Sequence, residues 1–224
     1  MNVPYISFNK YFLVPFFIWI VLGGAALIAF NEQQLFETFN GHHSSFGDVF
    51  MYYMSMLGEG PFSAIILLVL LSVKELRNWW YFTAALLTNA LSAVLAQVAK
   101  SMINSPRPLN YFHNAPWIHI LPDWPQLYNR SFPSGHTCAG FALCSFLAFL
   151  MPPEYKKWGI ILFIVALLIG YARMYLAAHF FLDVYVGSIL GTFFTMAMLA
   201  VMRYFTNRKL KGKVAVVNEA DDNA

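Results

Sequence analysis

Three short clusters hold most of the residues in this sequence that could do chemistry. The first reads Lys100-Ser-Met-Ile-Asn-Ser-Pro-Arg107-Pro108, the second Pro133-Ser134-Gly135-His136, and the third Arg173-Met-Tyr-Leu-Ala-Ala-His179-Phe-Phe-Leu-Asp183. Together they contain three fixed cations, a hydroxyl, a glycine at the start of an apolar run, two imidazoles and a carboxylate. That set suits a tetrahedral dianion. The guanidinium groups of Arg107 and Arg173 can bind phosphate oxygens in bidentate fashion, and Lys100 adds a point charge. Ser134 and Gly135 precede an apolar helix, so their N–H groups are expected at its positive end, and Gly135 allows close backbone approach.

The remaining members supply catalysis. His179 and Asp183 are i and i+4, on one face of a helix start. The Asp can accept the Nδ1 proton, fix the tautomer and present Nε2 as a nucleophile, the orienting logic of a hydrolase triad without its serine. His136, on a different helix, can protonate the leaving alkoxide as general acid. A lone His is ordinarily a satisfied or interfacial side chain, and a lone Lys or Arg at the edge of an apolar run is ordinarily a snorkelling anchor. Neither explanation accounts for the whole set arriving at one membrane face.

The elements that must position these residues are helices in a membrane. Hydrophobic residues make up 59% of the 224 positions and charged residues 11%, too little polar surface for a soluble domain of this length. Tyr11–Phe30 and Trp79–Ala99 each run without an ionisable side chain for about 20 residues, the length that crosses roughly 30 Å of hydrocarbon. Val184–Met202 is a third such run, and Pro61–Val73, Thr137–Met151 and Trp158–Ala172 are shorter. Borrowing flanking residues brings the short ones to spanning length, although extending Pro61–Val73 backwards over Met51–Gly60 takes in Glu59. The apolar runs are continuous rather than alternating, which excludes a β-barrel reading. The expectation is an all-α polytopic membrane protein with six transmembrane helices in one bundle. Its domain would span residues 1–211, followed by a mobile polar C-terminal tail over 212–224. The first apolar run is too long for a signal-peptide core, so no cleavable leader is expected.

Lys and Arg orient the bundle. With the N-terminus inside, cytoplasmic segments carry Lys10, Lys74, Arg77, Lys156, Lys157, Arg203, Arg208, Lys209, Lys211 and Lys213, against Lys100, Arg107, Arg130 and Arg173 on the other side. That bias puts both termini in the cytoplasm and the long Lys100–His136 connection outside. Trp79, Trp80 and Trp158, at helix ends, read as interfacial anchors.

The three clusters resemble the signature motifs of the type-2 phosphatidic acid phosphatase superfamily: Lys-x₆-Arg-Pro, Pro-Ser-Gly-His, and Ser-Arg-x₅-His-x₃-Asp. Order, internal spacing and helix placement all match; Ala172 stands where the family usually has Ser, a departure expected to weaken phosphate grip at most. The resemblance implies a phosphohistidine intermediate on His179, later hydrolysed by water, and no metal requirement. The sequence agrees on the metal, because His42 and His43 are adjacent, His113 and His119 are isolated in a loop, and no carboxylate cluster suits magnesium. No cofactor and no nucleic-acid partner is expected. Cys138 and Cys144 fall about 9 Å apart along one helix, too far for a disulfide.

The expected substrate is a phosphomonoester or diphosphate of a lipid at the outer face, with surrounding membrane lipids as the other partners. The candidates are undecaprenyl diphosphate, phosphatidylglycerol phosphate, phosphatidic acid and a lipid A phosphate, with a slight preference for a prenyl diphosphate or a phospholipid. The aromatic loop Leu109–Arg130, with Tyr111, Trp117, Trp124 and Tyr128, reads equally as a lid over the lipid chain and as ordinary interfacial anchoring. Two other classes compete: a phosphate or lipid transporter, for which internal repeats or interrupted helix pairs are wanting, and a non-catalytic lipid-binding scaffold, which the complete set His136, His179 and Asp183 disfavours. Gly187-x₃-Gly191 has the spacing of a small-residue helix contact, expected within the bundle rather than between copies.

Overall fold

The computed structural model describes residues 7–74, 77, 79–122 and 124–221. Among these the chain forms no strand, only an isolated bridge between Pro106 and Asn129. Its helices are α1 (Lys10–Ala29), α2 (Glu32–Asn40), α3 (Ser45–Met56), α4 (Gly60–Ser72), α5 (Trp79–Ile103), the single turn α6 (Pro108–Tyr111), α7 (Gly135–Leu150), α8 (Gly159–Tyr175) and α9 (Phe181–Asp221), with a 3₁₀ segment Pro153–Trp158 ahead of α8.

Four segments are long and apolar enough to cross a bilayer: α1, α5, the 3₁₀–α8 unit and α9 up to Arg208. The α3–α4 pair, bent by 63° at a short break, makes a fifth if it counts as one span. The sixth expected helix is α7, which has 16 residues and so is about 24 Å long. Its position explains the shortness. It packs against α4, α5, α8 and α9, and most of its side chains are buried by protein rather than lipid, so its length need not match the hydrocarbon. The backbone remains helical through Gly212, where the sequence predicts a polar tail, as far as Asp221.

Small residues let α7 take this central place. A Cβ at Gly191 would stand 2.3 Å from the Cys138 carbonyl oxygen, and one at Gly187 would stand 2.8 Å from that of Ser134. The Gly187-x₃-Gly191 stripe therefore packs α9 on α7 within one chain. Cys138 and Cys144 are free and buried in the same helix. Towards the helix ends remote from the three motifs, Phe12, Phe16, Phe141, Phe149 and Phe163 form an aromatic core. There the buried Asn9 caps α1 through the Tyr11 N–H and donates to the carbonyls of Ala148 and Lys156.

At the opposite end, polar contacts dock the broken span. Asp48 on α3 accepts from the Tyr175 hydroxyl of α8 at 2.6 Å and lies 2.7 Å from His119 Nε2, while Asn40 donates to the carbonyls of His119 and Tyr175. His119, isolated in the sequence, thus helps pin its loop to α3. The aromatic loop packs inward through its aliphatic residues, while Tyr111, Trp117 and Tyr128 stay exposed. Leu109 and Ile118 are buried with Phe36, Ala177 and Phe180, and Trp117 packs on Phe36 and Phe112. Of the expected anchors, Trp79 and Trp158 are exposed, whereas Trp80 donates to the Thr206 hydroxyl on α9.

Candidate active site

The three motifs arrive from the end of α5, the N-terminus of α7, and the turn between α8 and α9. That turn is set by Ala177, a non-glycine residue at φ 51°, and by the His179 N–H, which donates to the Arg173 carbonyl. His179 therefore lies in the turn just before α9 rather than within a helix, and Asp183 lies in the first turn of α9. The i,i+4 relation still brings His179 Nδ1 to 3.3 Å from Asp183 Oδ2.

Asp183 is held on several sides. The same Oδ2 accepts the Phe180 N–H at 2.9 Å and a short hydrogen bond from the Ser131 hydroxyl. Ser131 Oγ also stands 3.5 Å from His179 Nδ1. On the far side of the ring, Arg107 Nη1 is 3.4 Å from His179 Nε2. A guanidinium can only donate, so Nε2 carries a lone pair and the imidazole proton resides on Nδ1, facing Asp183. His179 is fully buried. Burial first, then the charges of Arg107, Arg173 and Lys100, holds its pKa well below the ordinary histidine value, so the ring is a neutral base.

Arg107 is fixed by backbone carbonyls. Arg107 donates through Nε to Asn129, through Nη1 to Ala178 and through Nη2 to Arg130; its own N–H donates to Tyr128. Arg130, whose carbonyl is one of these, takes a left-handed backbone conformation at φ 59°. Arg173 is buried. Its Nη1 donates to Ser55 Oγ, its guanidinium stacks over the Trp124 ring at 5.2 Å, and its Nε has no hydrogen-bond partner among the described residues. An unpartnered buried donor on a cation is a position that an anionic oxygen would satisfy. A methyl group at Gly135 would stand 3.6 Å from Lys100 Nζ, so the ammonium lies over the backbone at the start of α7.

One expectation needs correction. The Ser134 N–H does not face outward at the helix start; it donates to the backbone carbonyl of Asp183 at 3.0 Å. Its hydroxyl accepts from the N–H and hydroxyl of Thr137. Ser134 ties α7 to α9, and the backbone amides that remain for an anion begin at Gly135, where the first-turn N–H groups lack helical partners. His136 follows, with a side chain 29% exposed and Nε2 3.9 Å from Glu59 Oε1.

Reasoning from sequence missed four contributors. Ser131 lies two residues before Pro133, but its contact with Asp183 depends on how the loop folds back. Ser55 is one hydroxyl in an apolar helix, Trp124 is one aromatic in an aromatic loop, and Glu59 read only as a charge within a spanning run. None has a spacing that marks it.

A model of the PAP2 superfamily matches residues 78–207. Undecaprenyl-diphosphatase of Sulfolobus acidocaldarius is 27% identical over 81% of this chain and 82% of its own length. Undecaprenyl-diphosphatase BcrC of Bacillus subtilis is 25% identical over 84% of this chain and 94% of its own. The crystal structure of LpxE from Aquifex aeolicus superposes with a TM-score of 0.62 and 31% identity, covering 78% of this chain and 98% of that one.

Proposed function

This chain belongs to the PAP2 superfamily, and we propose that it removes the terminal phosphate from undecaprenyl diphosphate at the outer face of the membrane. It is a membrane hydrolase acting on phosphate esters of lipids. The observation that carries the mechanism is the buried His179, with Nδ1 towards Asp183 and Nε2 facing Arg107. In the first step Nε2 forms a bond to the terminal phosphorus, its P–O bond to the bridging oxygen breaks, and undecaprenyl phosphate leaves with the His136 proton on that oxygen. In the second step water attacks the phosphohistidine, its proton returns to His136, and the P–N bond breaks to release phosphate. Lys100, Arg107, Arg173 and the backbone at Gly135 hold the equatorial oxygens throughout.

The choice of lipid rests on the two undecaprenyl-diphosphatase relatives; phosphatidylglycerol phosphate, phosphatidic acid and a lipid A phosphate are the alternatives. The outer face and cytoplasmic termini rest on the distribution of Lys and Arg, and a sixth crossing on α7 as a short, protein-encased span. A cavity of about 410 Å³, lined by Ile103, Pro106, Phe132, Phe180 and Leu182 together with Glu32 and Ser105, opens beside Asp183, on the Nδ1 side of His179.

The test is release of inorganic phosphate by purified protein in EDTA from each of these four lipids. Undecaprenyl diphosphate should turn over fastest, and His179→Ala should lower the rate by on the order of 10³-fold or more. A tenfold preference for another lipid would sink the substrate assignment. Wild-type rates in His179→Ala would sink the mechanism. Accumulation of phosphate in vesicles without hydrolysis would favour transport instead.

A further inference from the structure

The break between α3 and α4 is the least regular part of the bundle, and it meets the site at two points. Ser55, in the last turn of α3, is buried and binds Arg173. Four residues on, Glu59 sits at the N-cap of α4, a position where an acidic side chain ordinarily accepts first-turn N–H bonds. It makes none. Its carboxylate instead stands 3.9 Å from His136 Nε2. Gly58 permits this approach, because a Cβ there would lie 2.9 Å from the His136 carbonyl oxygen and 3.0 Å from His136 Cβ. The turn is pressed against the residue that must act as general acid.

The charges around His136 make such a partner necessary. Facing it are Lys100 from α5, Arg107 from the following loop, Arg173 from α8 and His179 from the α8–α9 turn, every one cationic or neutral. A cationic imidazole in that company needs an opposite charge nearby, and the leaving oxygen needs its proton. On α9, Asp183 is committed to His179, Ser131 and the Phe180 N–H. Among the described residues, Glu59 is the carboxylate left to oppose the cations on the His136 side, and at 44% exposed it remains in contact with water.

Resting on the phosphatase reading above, we propose that Glu59 is a positioning residue that keeps His136 protonated for departure of the leaving group. It touches neither phosphorus nor the leaving oxygen. In the first step the proton leaves His136 for that oxygen; in the second, the proton of the attacking water returns to it. Glu59 faces the imidazole through both and favours its imidazolium form each time.

Glu59→Gln keeps the size of the side chain and removes the charge. In the purified full-length protein, the alkaline limb of kcat/KM on phosphatidic acid, whose leaving alkoxide needs a proton, should move down by about one pH unit, the effect of losing an opposite charge at this range. KM should change less than about twofold, and Glu59→Asp should recover most of the shift. For 4-nitrophenyl phosphate, whose leaving group needs no protonation, kcat/KM, which reports the first step alone, should keep its wild-type pH profile. His136 can also be titrated directly by nitrogen NMR in detergent, where Glu59→Gln should lower its pKa by about one unit whether or not any lipid is cleaved. Superimposable titrations and pH profiles for wild type and Glu59→Gln would overturn the proposal. An equal shift with both substrates would overturn it too, because the acid is idle with a good leaving group. A lowered His136 pKa in a protein that cleaves neither substrate would leave the pair standing and refute the phosphatase reading.

Discussion

The two imidazoles of the site are built in opposite ways. His179 is fully buried and clamped: Asp183 and Ser131 face one ring nitrogen, Arg107 faces the other, and its own backbone N–H is tied to Arg173. His136 is partly exposed, with a carboxylate at ion-pair rather than hydrogen-bond distance. The contrast follows from the two tasks. A nucleophile needs a fixed tautomer and a lone pair aimed at one point, and both improve with burial and rigid partners. A general acid must lose and regain a proton every turnover, which requires a balanced pKa and a route to water. The clamped half hangs from the α8–α9 turn and the loop ahead of α7; the open half leans on the α3–α4 break.

If this division is right, substitutions in the clamped half should strike kcat and those along the α3–α4 break should act more mildly. The largest effect expected within the clamp, short of removing His179 itself, is from Asp183→Asn. The amide can donate to Nδ1 and so favours the tautomer with its proton on Nε2, which has no lone pair for phosphorus. A loss on the order of 10³-fold in kcat with little change in KM is expected; a rise in KM alone would show that Asp183 does not orient His179. Ser131→Ala comes next. It removes a donor from a buried carboxylate, worth about 1.4 kcal/mol, and should lower kcat roughly tenfold. An unchanged kcat would remove Ser131 from the clamp.

The pH dependence separates the halves in another way. His179 must be neutral to attack, and its pKa lies well below the ordinary value of 6.5. The acid limb of kcat/KM therefore falls below pH 6.5. At pH 6 an unperturbed imidazole would be about three-quarters protonated, whereas the enzyme should remain near its plateau. A limb centred at 6.5 would show that the cations and burial do not act on His179 as described. The same shift bears on stability. The unfolded chain takes up a proton that the folded site refuses, so this group's contribution declines as pH falls below about 6.5.

The charged and imidazole residues of both halves were legible in the sequence, and the residues that brace them were not. Lys100, Arg107, His136, Arg173, His179 and Asp183 stand out because charge and imidazole are costly at the edges of apolar helices, and because their spacings fit helical faces. The long spans were readable from their apolar runs, with α1 and α5 within a few residues of expectation. What escaped were contacts between segments distant in the chain. Ser55 meets Arg173 across 118 positions, and nothing local distinguishes it from any hydroxyl in an apolar helix. The shortness of α7 was visible, but not its cause, since encasement by neighbours is a property of packing. The role expected for the Ser134 amide failed for a related reason. Helix-start geometry was anticipated correctly, but the Asp183 carbonyl that takes the N–H comes from another helix.

The smallest expected effect tests whether the α3–α4 break belongs to the site at all. Ser55→Ala removes the hydroxyl that holds Arg173 Nη1. Among the described residues, Arg173 then keeps its stacking on Trp124, on a buried guanidinium whose Nε has no hydrogen-bond partner there. The side chain should populate more orientations, and phosphate binding should weaken. Because Arg173 serves ground state and transition state alike, the loss should appear as a roughly three- to fivefold rise in KM, with kcat within about twofold of wild type. Weaker inhibition by orthovanadate, by a similar factor, should accompany it. Ser131→Ala gives the reverse pattern, so the two variants measured side by side distinguish a residue that grips the anion from one that aligns the nucleophile. A fall in kcat for Ser55→Ala as deep as that for Ser131→Ala would erase the distinction, because α3 would then be part of the machinery that aims His179 rather than a separate wall that holds the phosphate.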